Sequence, residues 1–156
     1  MKLVLSTRLE AALPLCAEAV MRPALLQAVA APLVRFTPVQ GEWPSRWMPG
    51  PFLVKLHLFG WLPLGEQVIG IELPPSSAQR FELLDLGHSP LIPKWHHRIT
   101  LETDDAGTRY TDALDLDAGW RTPLVWAFAW LFYRHRQRRW RQLVATSALP
   151  ALLNVT

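Results

Sequence analysis

The chain consists largely of short stretches in which apolar and polar residues alternate. In Lys2–Leu9, for example, Leu3 and Leu5 fall on one face, while Lys2 and Ser6 fall on the other. Because successive side chains of a β-strand point to opposite faces, a period of two predicts a half-buried strand. Seven segments are predicted as strands: Lys2–Leu9, Leu33–Val39, Phe52–Trp61, Glu66–Leu73, Gln79–Leu86, Trp95–Thr103 and Thr108–Asp115.

The segments between these strands carry turn residues. Gln40–Pro51 holds three prolines and two glycines, and Leu62–Gly65 contains Pro63 and a glycine, so both are predicted as turns or loops. Asp104–Gly107 separates the last two strands. It is predicted to close a hairpin in which Gly107 supplies the backbone conformation with positive φ.

Two parts of the chain change to a helical period. Glu10–Ala31 is rich in Ala and Leu, and Pro14 and Pro23 divide it into two short helices or one broken helix. Thr122–Val144 is the longest helical segment. Thr122 is expected to act as its N-cap, with a proline at the first helical position. At about 100° per residue, one side of this helix collects five apolar residues: Leu124, Val125, Phe128, Phe132 and Leu143.

The long helix changes character along its length. Its first half is almost wholly apolar and is expected to be covered on most sides. Its second half is basic and is expected to emerge into water, with Arg134, Arg138 and Arg141 on the outer side. His135 and Arg139 fall on the side of Phe128 and Phe132. They are expected either to pass the edge of the sheet or to meet an acid such as Asp85 or Asp112.

The order of elements is one strand, short helices, consecutive antiparallel strands and a long final helix. A single curved sheet buries one face only if something fills its concave side. The predicted fold is therefore α+β: a curved antiparallel sheet of six to seven strands around the C-terminal helix, with a cavity where the two do not close. The domain is predicted to span residues 1–145, with a C-terminal tail at 146–156.

Composition narrows the function classes. The chain has 156 residues, of which 50% are hydrophobic and 19% charged, as in one ordinary domain. The eight tryptophans favour a lined pocket or a stiff core. The net charge of +3 comes largely from one arginine cluster in the final helix, whereas nucleic-acid binders spread basic residues over a face. No nucleic-acid partner is expected.

Other classes are excluded by what the chain lacks. A single cysteine, Cys16, rules out an internal disulfide and is expected to pack as a small hydrophobe. Met1–Glu10 carries charges, unlike a signal peptide. The apolar run Pro123–Tyr133 is far shorter than the roughly 20 residues that cross a bilayer. A soluble, cytoplasmic protein without an integral membrane segment is expected.

Four short motifs occur in a fixed order along the second half of the chain. They are Arg80-Phe81, Trp95-His96-His97, Gly107-Thr108 with Asp112, and Tyr133-Arg134-His135-Arg136. This series resembles the START/SRPBCC superfamily, the helix-grip fold of polyketide cyclases and lipid-transfer domains, and in particular its bacterial ligand-binding type. There the second motif reads Trp-x-His-x-His-x-Phe. In this chain Ile99 and Leu101 stand at the positions of the second His and the Phe.

The resemblance implies a protein that holds a small, mostly apolar ligand between sheet and helix. Eight residues are candidates for the site: Trp61, Trp95, Tyr110, Trp126, Phe128 and Phe132 as its wall, and His97 and Asp112 as its polar anchors. The missing second His argues against a metal, and His96 and His97 point to opposite faces of a strand. Neither a metal nor a cofactor is expected.

Two other functions stay open. In a cyclase or aromatase-type enzyme the carboxylate of Asp112 would orient the His97 imidazole as a general base, whereas in a binding protein the two merely satisfy each other in the core. Alternatively, the basic end of the helix and the apolar stretch Ala148–Leu153 would contact an anionic membrane surface or a protein partner. A binding protein is favoured over an enzyme.

Overall fold

The computed structural model describes residues 1–154. It contains seven strands: β1 (Lys2–Leu9), β2 (Val34–Pro38), β3 (Gly50–Leu58), β4 (Leu62–Glu72), β5 (Arg80–Gly87), β6 (Lys94–Asp104) and β7 (Gly107–Asp117). Its helices are α1 (Leu13–Val20), α2 (Pro23–Ala30), α3 (Thr122–Ala145) and α4 (Leu149–Leu153), and a short 3₁₀ helix, Gly119–Arg121, precedes α3. The predicted α+β class and order of elements are confirmed.

The seven strands form one antiparallel sheet in the order β1-β7-β6-β5-β4-β3-β2. The first two strands of the chain are thus the two edges of the sheet, and α1 and α2 span the distance between them. The residues of β7 alternate strictly, with Tyr110, Asp112, Leu114 and Leu116 buried on the concave face. This alternation fixes the register, because a shift by one residue would turn the buried side chains outward.

The hairpin between β6 and β7 forms where the turn residues predict it. Gly107 has φ +146°, and a Cβ placed on it would come within 2.2 Å of the Leu9 carbonyl oxygen. Only glycine fits there, because any side chain would collide with the backbone at the end of β1.

Helices α1 and α2 close one end of the concave side. Their buried residues include Leu13, Val20, Leu25 and Val29, and Cys16 is a fully buried free thiol, as predicted. No single helix within residues 1–154 has the length and apolarity to cross a membrane, although α1 and α2 together, bent by 88°, pass the same test of length and composition.

Helix α3 buries a face that overlaps the predicted one only in part: Phe132 is buried as predicted, whereas Leu124 is exposed. From Tyr133 onward its buried residues are Tyr133, Arg136, Gln137 and Trp140, and the helix packs towards β1 and β7. Arg134, Arg138 and Arg141 are exposed, as predicted. The basic half therefore does not simply emerge into water: it carries a strip of aromatic and polar residues that belongs to the core.

The apolar first half of α3 is less covered than predicted. Leu124 is 75% exposed and Leu131 is 59% exposed, and Trp120 just before the helix is 87% exposed. His135 does lie towards the body of the protein, but its Nε2 meets the Ala31 carbonyl oxygen at 2.8 Å instead of an acid.

Two local predictions need correction. The turn between β3 and β4 lies at Phe59–Trp61, where Phe59 and Gly60 have positive φ, so residues 62–65 belong to β4. Thr122 is the first residue of α3 and not its N-cap. Its hydroxyl accepts a hydrogen bond from the Ala118 N–H and donates to the Gly119 carbonyl, which stabilises the preceding 3₁₀ turn.

The end of the chain also packs on the domain. Leu149 in α4 is 2% exposed, and Leu152 and Leu153 pack partly against the same core. The leucines of the apolar stretch Ala148–Leu153 therefore pack largely against the protein's own core, which leaves little of their surface for contact with a membrane or a partner. Residues 155 and 156 of the predicted tail lie outside the described part of the chain.

Candidate functional site

An open cavity of about 370 Å³ lies between the concave face of the sheet and the first half of α3. Its wall is mostly apolar and includes Val34, Leu56, Ile69, Leu83, Ile99 and Phe128. Leu64, Leu91 and Leu124 stand at its outer part, where they are exposed. The volume falls in the range of small-molecule pockets, about 300–1,000 Å³.

The structure brings together five of the eight predicted site residues. Trp95, His97, Tyr110, Phe128 and Phe132 line the cavity. The Tyr133 ring contacts three of them: it stacks on Trp95 at a centroid distance of 6.2 Å and lies 4.7 Å from the His97 ring and 5.6 Å from the Phe132 ring.

The other three predicted site residues lie elsewhere. Trp61 is the last residue of the turn between β3 and β4 and is 71% exposed, outside the cavity wall. Trp126 points to the edge of the sheet, where its Nε1–H donates to the Lys2 carbonyl at 2.9 Å. Asp112 is buried directly behind His97 and Tyr110 and does not itself form part of the wall.

The carboxylate of Asp112 is the centre of a buried hydrogen-bond cluster. Its Oδ1 accepts from the Tyr110 hydroxyl at 2.6 Å and meets His97 Nε2 at 2.8 Å, and its Oδ2 accepts from Gln137 Nε2 at 2.9 Å. The Gln137 amide also donates to the Leu5 carbonyl. These four side chains, Tyr110, His97, Asp112 and Gln137, are called the Asp112 cluster below.

The register explains how His97 and Asp112 meet. His97 lies opposite Leu114, and Asp112 lies opposite Ile99, so the two are diagonal neighbours on the same face of β6 and β7. Such diagonal pairs are within reach of long or aromatic side chains. The pairing that the sequence left open is therefore present.

The protonation states in the cluster follow from burial and hydrogen bonding. Burial lowers the pKa of His97 more than Asp112 raises it, so the imidazole is neutral at neutral pH and donates its Nε2–H. Burial acts to raise the pKa of Asp112. The hydrogen bond from His97, the charge of Arg136 and the Tyr110 hydroxyl lower this pKa by a larger amount, so it lies below its ordinary value and the carboxylate stays ionised.

Arg136 is a buried cation in the wall of the cavity. Arg136 is 7% exposed, and its Cζ lies 5.0 Å from the centre of the Tyr133 ring and 5.7 Å from the centre of the Phe132 ring. Its Nε has no hydrogen-bond partner in the described chain, and the ion pairs among residues 1–154 do not engage its guanidinium. Burial acts to lower its pKa, but Tyr110 and the carboxylates of Asp112 and Asp85 raise it, so the group stays charged.

Asp85 adds a second carboxyl group to the wall. It lies opposite His97 in the pairing of β5 with β6, and its Oδ1 accepts the Gly70 N–H at 2.8 Å, close to a break in the pairing of β4 with β5. Asp85 keeps some contact with solvent, yet protein surrounds most of its carboxyl group. The resulting desolvation raises its pKa to about 7, although the Gly70 N–H and the charge of Arg136 act in the opposite direction.

Sequence reasoning missed Arg136, Gln137 and Tyr133 as site residues. The sequence feature that would have predicted them is the spacing of three or four residues that places Tyr133, Arg136, Gln137 and Trp140 on one face of a helix. The run of arginines around them concealed this pattern. Within residues 1–154 no group of three or more His, Cys, Asp and Glu side chains could hold a metal ion.

Sequence comparison finds no match: no family model fits the chain, and no curated protein matches it. Comparison with solved structures does find similar ones. A protein from Chromobacterium violaceum aligns with a TM-score of 0.67 at 15% identity, covering 92% of this chain and 96% of its own.

Two further neighbours have descriptive names. A START superfamily protein from Mycobacterium smegmatis aligns with a TM-score of 0.60 at 12% identity, over 93% of this chain and 97% of its own. An AHSA1-like protein from Aeromonas hydrophila has a TM-score of 0.60 at 12% identity, over 96% of this chain and 95% of its own. Since both alignments run over nearly the full length, and the seven-stranded sheet holds a long C-terminal helix, the chain has the helix-grip fold of the START/SRPBCC type.

Proposed function

We propose that this protein binds a small, mostly apolar molecule in the cavity between the sheet and α3. The observation that carries the proposal is the cavity itself: about 370 Å³ of open space with a largely apolar wall, in a domain whose remaining core is packed. An open cavity of this size leaves an apolar wall exposed to water, which disfavours the folded state unless a ligand covers that wall.

A cavity-filling variant tests this proposal. Leu56 on β3 lines the cavity, while Leu53 on the same strand is 43% exposed. Leu56→Trp is therefore expected to block ligand binding, and Leu53→Trp is the matched control. The probe is 1-decanol, an uncharged alcohol with a long alkyl chain, and its binding is measured by calorimetry and by thermal unfolding.

Ligand binding to the folded state alone raises its stability by a calculable amount. At a free concentration of 100 times Kd the gain is about 2.7 kcal/mol, which raises the melting temperature by about 5–10 °C in a domain of this size. We expect this shift for the wild type and for Leu53→Trp, but not for Leu56→Trp. An equal shift in all three proteins would place binding outside the cavity, and no shift in any of them would contradict the proposal.

A second candidate function is an enzyme of the cyclase or aromatase type, and the pairing of His97 with Asp112 favours it. The His97 ring lines the cavity, its Nε2 is held by a buried carboxylate at 2.8 Å, and its lowered pKa keeps it neutral. A neutral imidazole oriented in this way has the properties of a general base. The first step of such a reaction would move a proton from the carbon next to a ketone to the imidazole, leaving an enolate.

Proton exchange tests the enzyme function without knowledge of the natural substrate. 2-Decanone in D₂O would exchange the hydrogens next to its carbonyl faster in the presence of a protein with this activity, as followed by NMR. The expected result is acceleration by the wild type that His97→Gln loses while 1-decanol binding is kept. If the exchange rate with the wild type equals the rate without protein, the enzyme function is contradicted and ligand binding is the only function proposed.

A further inference from the structure

Arg136 is a buried cation in a mostly apolar cavity wall, and no carboxylate among residues 1–154 forms a direct ion pair with it. A buried charge is strongly unfavourable unless an opposite charge or hydrogen bonds compensate it. The rings of Tyr133 and Phe132 offer only partial compensation through their faces. The two nearby carboxyl groups are already engaged: Asp112 accepts three hydrogen bonds within its cluster, and Asp85 accepts the Gly70 N–H.

We infer that the cavity selects amphipathic carboxylic acids, and that Arg136 binds their carboxylate. This inference rests on the proposed binding function and adds the chemical class of the ligand. The unpartnered Nε–H is the informative atom, because a guanidinium can bind a carboxylate side-on through Nε–H and one Nη–H, in two parallel hydrogen bonds. The ligand would thereby supply the direct ion pair and hydrogen bonds that the guanidinium of Arg136 lacks within residues 1–154.

The charges around Arg136 favour a singly charged ligand over a phosphate. The groups that face it are Asp85 on β5, His97 on β6, Tyr110 and Asp112 on β7, and Tyr133 on α3 itself. None of these is a second cation, since His97 is neutral. A dianionic phosphate would therefore meet one positive charge and two acidic groups, whereas a carboxylate needs only the one guanidinium.

A second arginine, Arg121, also belongs to the cavity wall, and its Nε also lacks a partner among residues 1–154. It precedes α3, and at 1.5 Å per residue it lies about 22 Å from Arg136 along the helix. One head group cannot reach both. Binding at Arg136 places the ligand's carboxylate at the buried end of the cavity, and the ligand's alkyl chain then runs along the apolar wall towards Leu124.

The size of the cavity suggests the probe. If each water-sized group needs about 30 Å³, a volume of about 370 Å³ accommodates roughly a dozen non-hydrogen atoms. Decanoate has that size, and 1-decanol is nearly isosteric but uncharged. Comparing the two ligands isolates the contribution of the carboxylate from that of the chain.

The experiment measures Kd for decanoate and for 1-decanol by calorimetry at pH 8, below the micelle concentration. The variants are Arg136→Met, Arg121→Met, and Arg138→Met as a control on an exposed arginine of the same helix. For the wild type we expect decanoate to bind at least tenfold more tightly than 1-decanol. Arg136→Met should abolish this preference and keep 1-decanol binding. Arg138→Met, outside the cavity wall, should behave like the wild type, and Arg121→Met should keep the preference for decanoate whatever its effect on the two individual Kd values.

Each alternative outcome has a defined meaning. Equal wild-type affinities for the two ligands, or loss of the preference in Arg121→Met instead of Arg136→Met, would overturn the inference and leave the proposed function intact. Failure of the wild type to bind either ligand would contradict the proposed function itself. If Arg136→Met does not fold, the Kd for decanoate is measured with Arg136→Lys instead. An affinity equal to that of the wild type would overturn the side-on pairing, because lysine has no second donor in the same plane.

Discussion

Replacing Asp112 by Asn keeps the shape of the side chain but removes the charge at the centre of the Asp112 cluster. The carboxylate accepts hydrogen bonds from Tyr110, His97 and Gln137. If the Asn oxygen takes the position of Oδ1, its amide nitrogen faces Gln137 Nε2 at 2.9 Å, donor against donor. Arg136 also loses a neighbouring negative charge.

The expected loss of stability follows from these contacts. Hydrogen bonds to a charged group are worth about 1.5–3 kcal/mol and neutral ones about 0.5–1.5 kcal/mol, so the two that survive weaken by about 1 kcal/mol each. The third is replaced by an unsatisfied buried donor, at about 1–3 kcal/mol. The sum is about 4 kcal/mol, which agrees with the cost of breaking a buried charge pair. The melting temperature should fall by about 8–16 °C.

Asp115→Asn on the same strand is the matched control. Asp115 is partly exposed and pairs with Lys94, so it should contribute no more than about 1 kcal/mol. The assay is urea unfolding followed by tryptophan fluorescence and circular dichroism at pH 7. A loss in Asp112→Asn within 1 kcal/mol of that in Asp115→Asn would refute the view that the cluster stabilises the fold.

The pH dependence gives a second test of the same variant. The pKa of Asp112 in the folded protein lies below its ordinary value of 3.8, so the unfolded chain takes up a proton first as the pH falls. The stability that the carboxylate contributes is therefore present above pH about 4 and is lost as the pH falls through the folded-state pKa. The difference between wild type and Asp112→Asn should be smaller at pH 3 than at pH 7, and a constant difference would contradict the ionised state of Asp112.

Three other predictions concern separate parts of the protein. Because the pKa of Asp85 is raised to about 7, the folded protein holds a proton that the unfolded chain has lost between pH about 4 and 7, so the free energy of unfolding falls as the pH rises through this range. Asp85→Asn should remove that slope, so that its free energy of unfolding relative to the wild type rises by about 3 kcal/mol from pH 5 to pH 8 in urea unfolding, and an unchanged slope would contradict the raised pKa. Trp140→Ala, at 1% exposure, should lose about 3–5 kcal/mol, whereas Trp120→Ala, at 87% exposure, should lose less than about 0.5 kcal/mol, and similar losses would contradict the assignment of the buried face. Gly107→Ala should lose more than about 2 kcal/mol in the same assay, because its Cβ would collide with the Leu9 carbonyl, and a neutral effect would refute that close approach.

The sheet could be predicted from sequence because each strand has one buried face. Alternation in a segment such as Thr108–Asp115 fixes both the strand and its inward residues, and the structure follows it residue by residue. The end of β3 was less predictable. Phe59 adopts a positive φ, which is rare for an aromatic residue, so the sequence pointed to Pro63 and Gly65 as the turn instead.

The cavity wall could be predicted only in part, because it depends on the placement of α3 against the sheet. His97, Tyr110 and Asp112 follow from strand alternation. Trp61 and Trp126 were predicted to line the cavity by residue type alone, and that information does not distinguish the inner from the outer face. The rotation of α3 was ambiguous, because its first half is apolar on nearly every side and provides no contrast from which to choose a buried face.

The two halves of α3 contact different parts of the protein. The basic half packs towards β1 and β7, where Trp140 fills space and Gln137 bonds both to Asp112 and to the backbone of β1. The apolar half runs along the open part of the sheet, where Phe128 faces the cavity and Leu124 is exposed. A helix that was anchored by its apolar half would close this space, because apolar side chains would collapse onto the sheet. Since the buried contacts of Gln137 and Trp140 lie at the other end, they hold the helix in place while the cavity stays open, and a substitution of the exposed Leu124 should change the proposed ligand binding more than it changes folding.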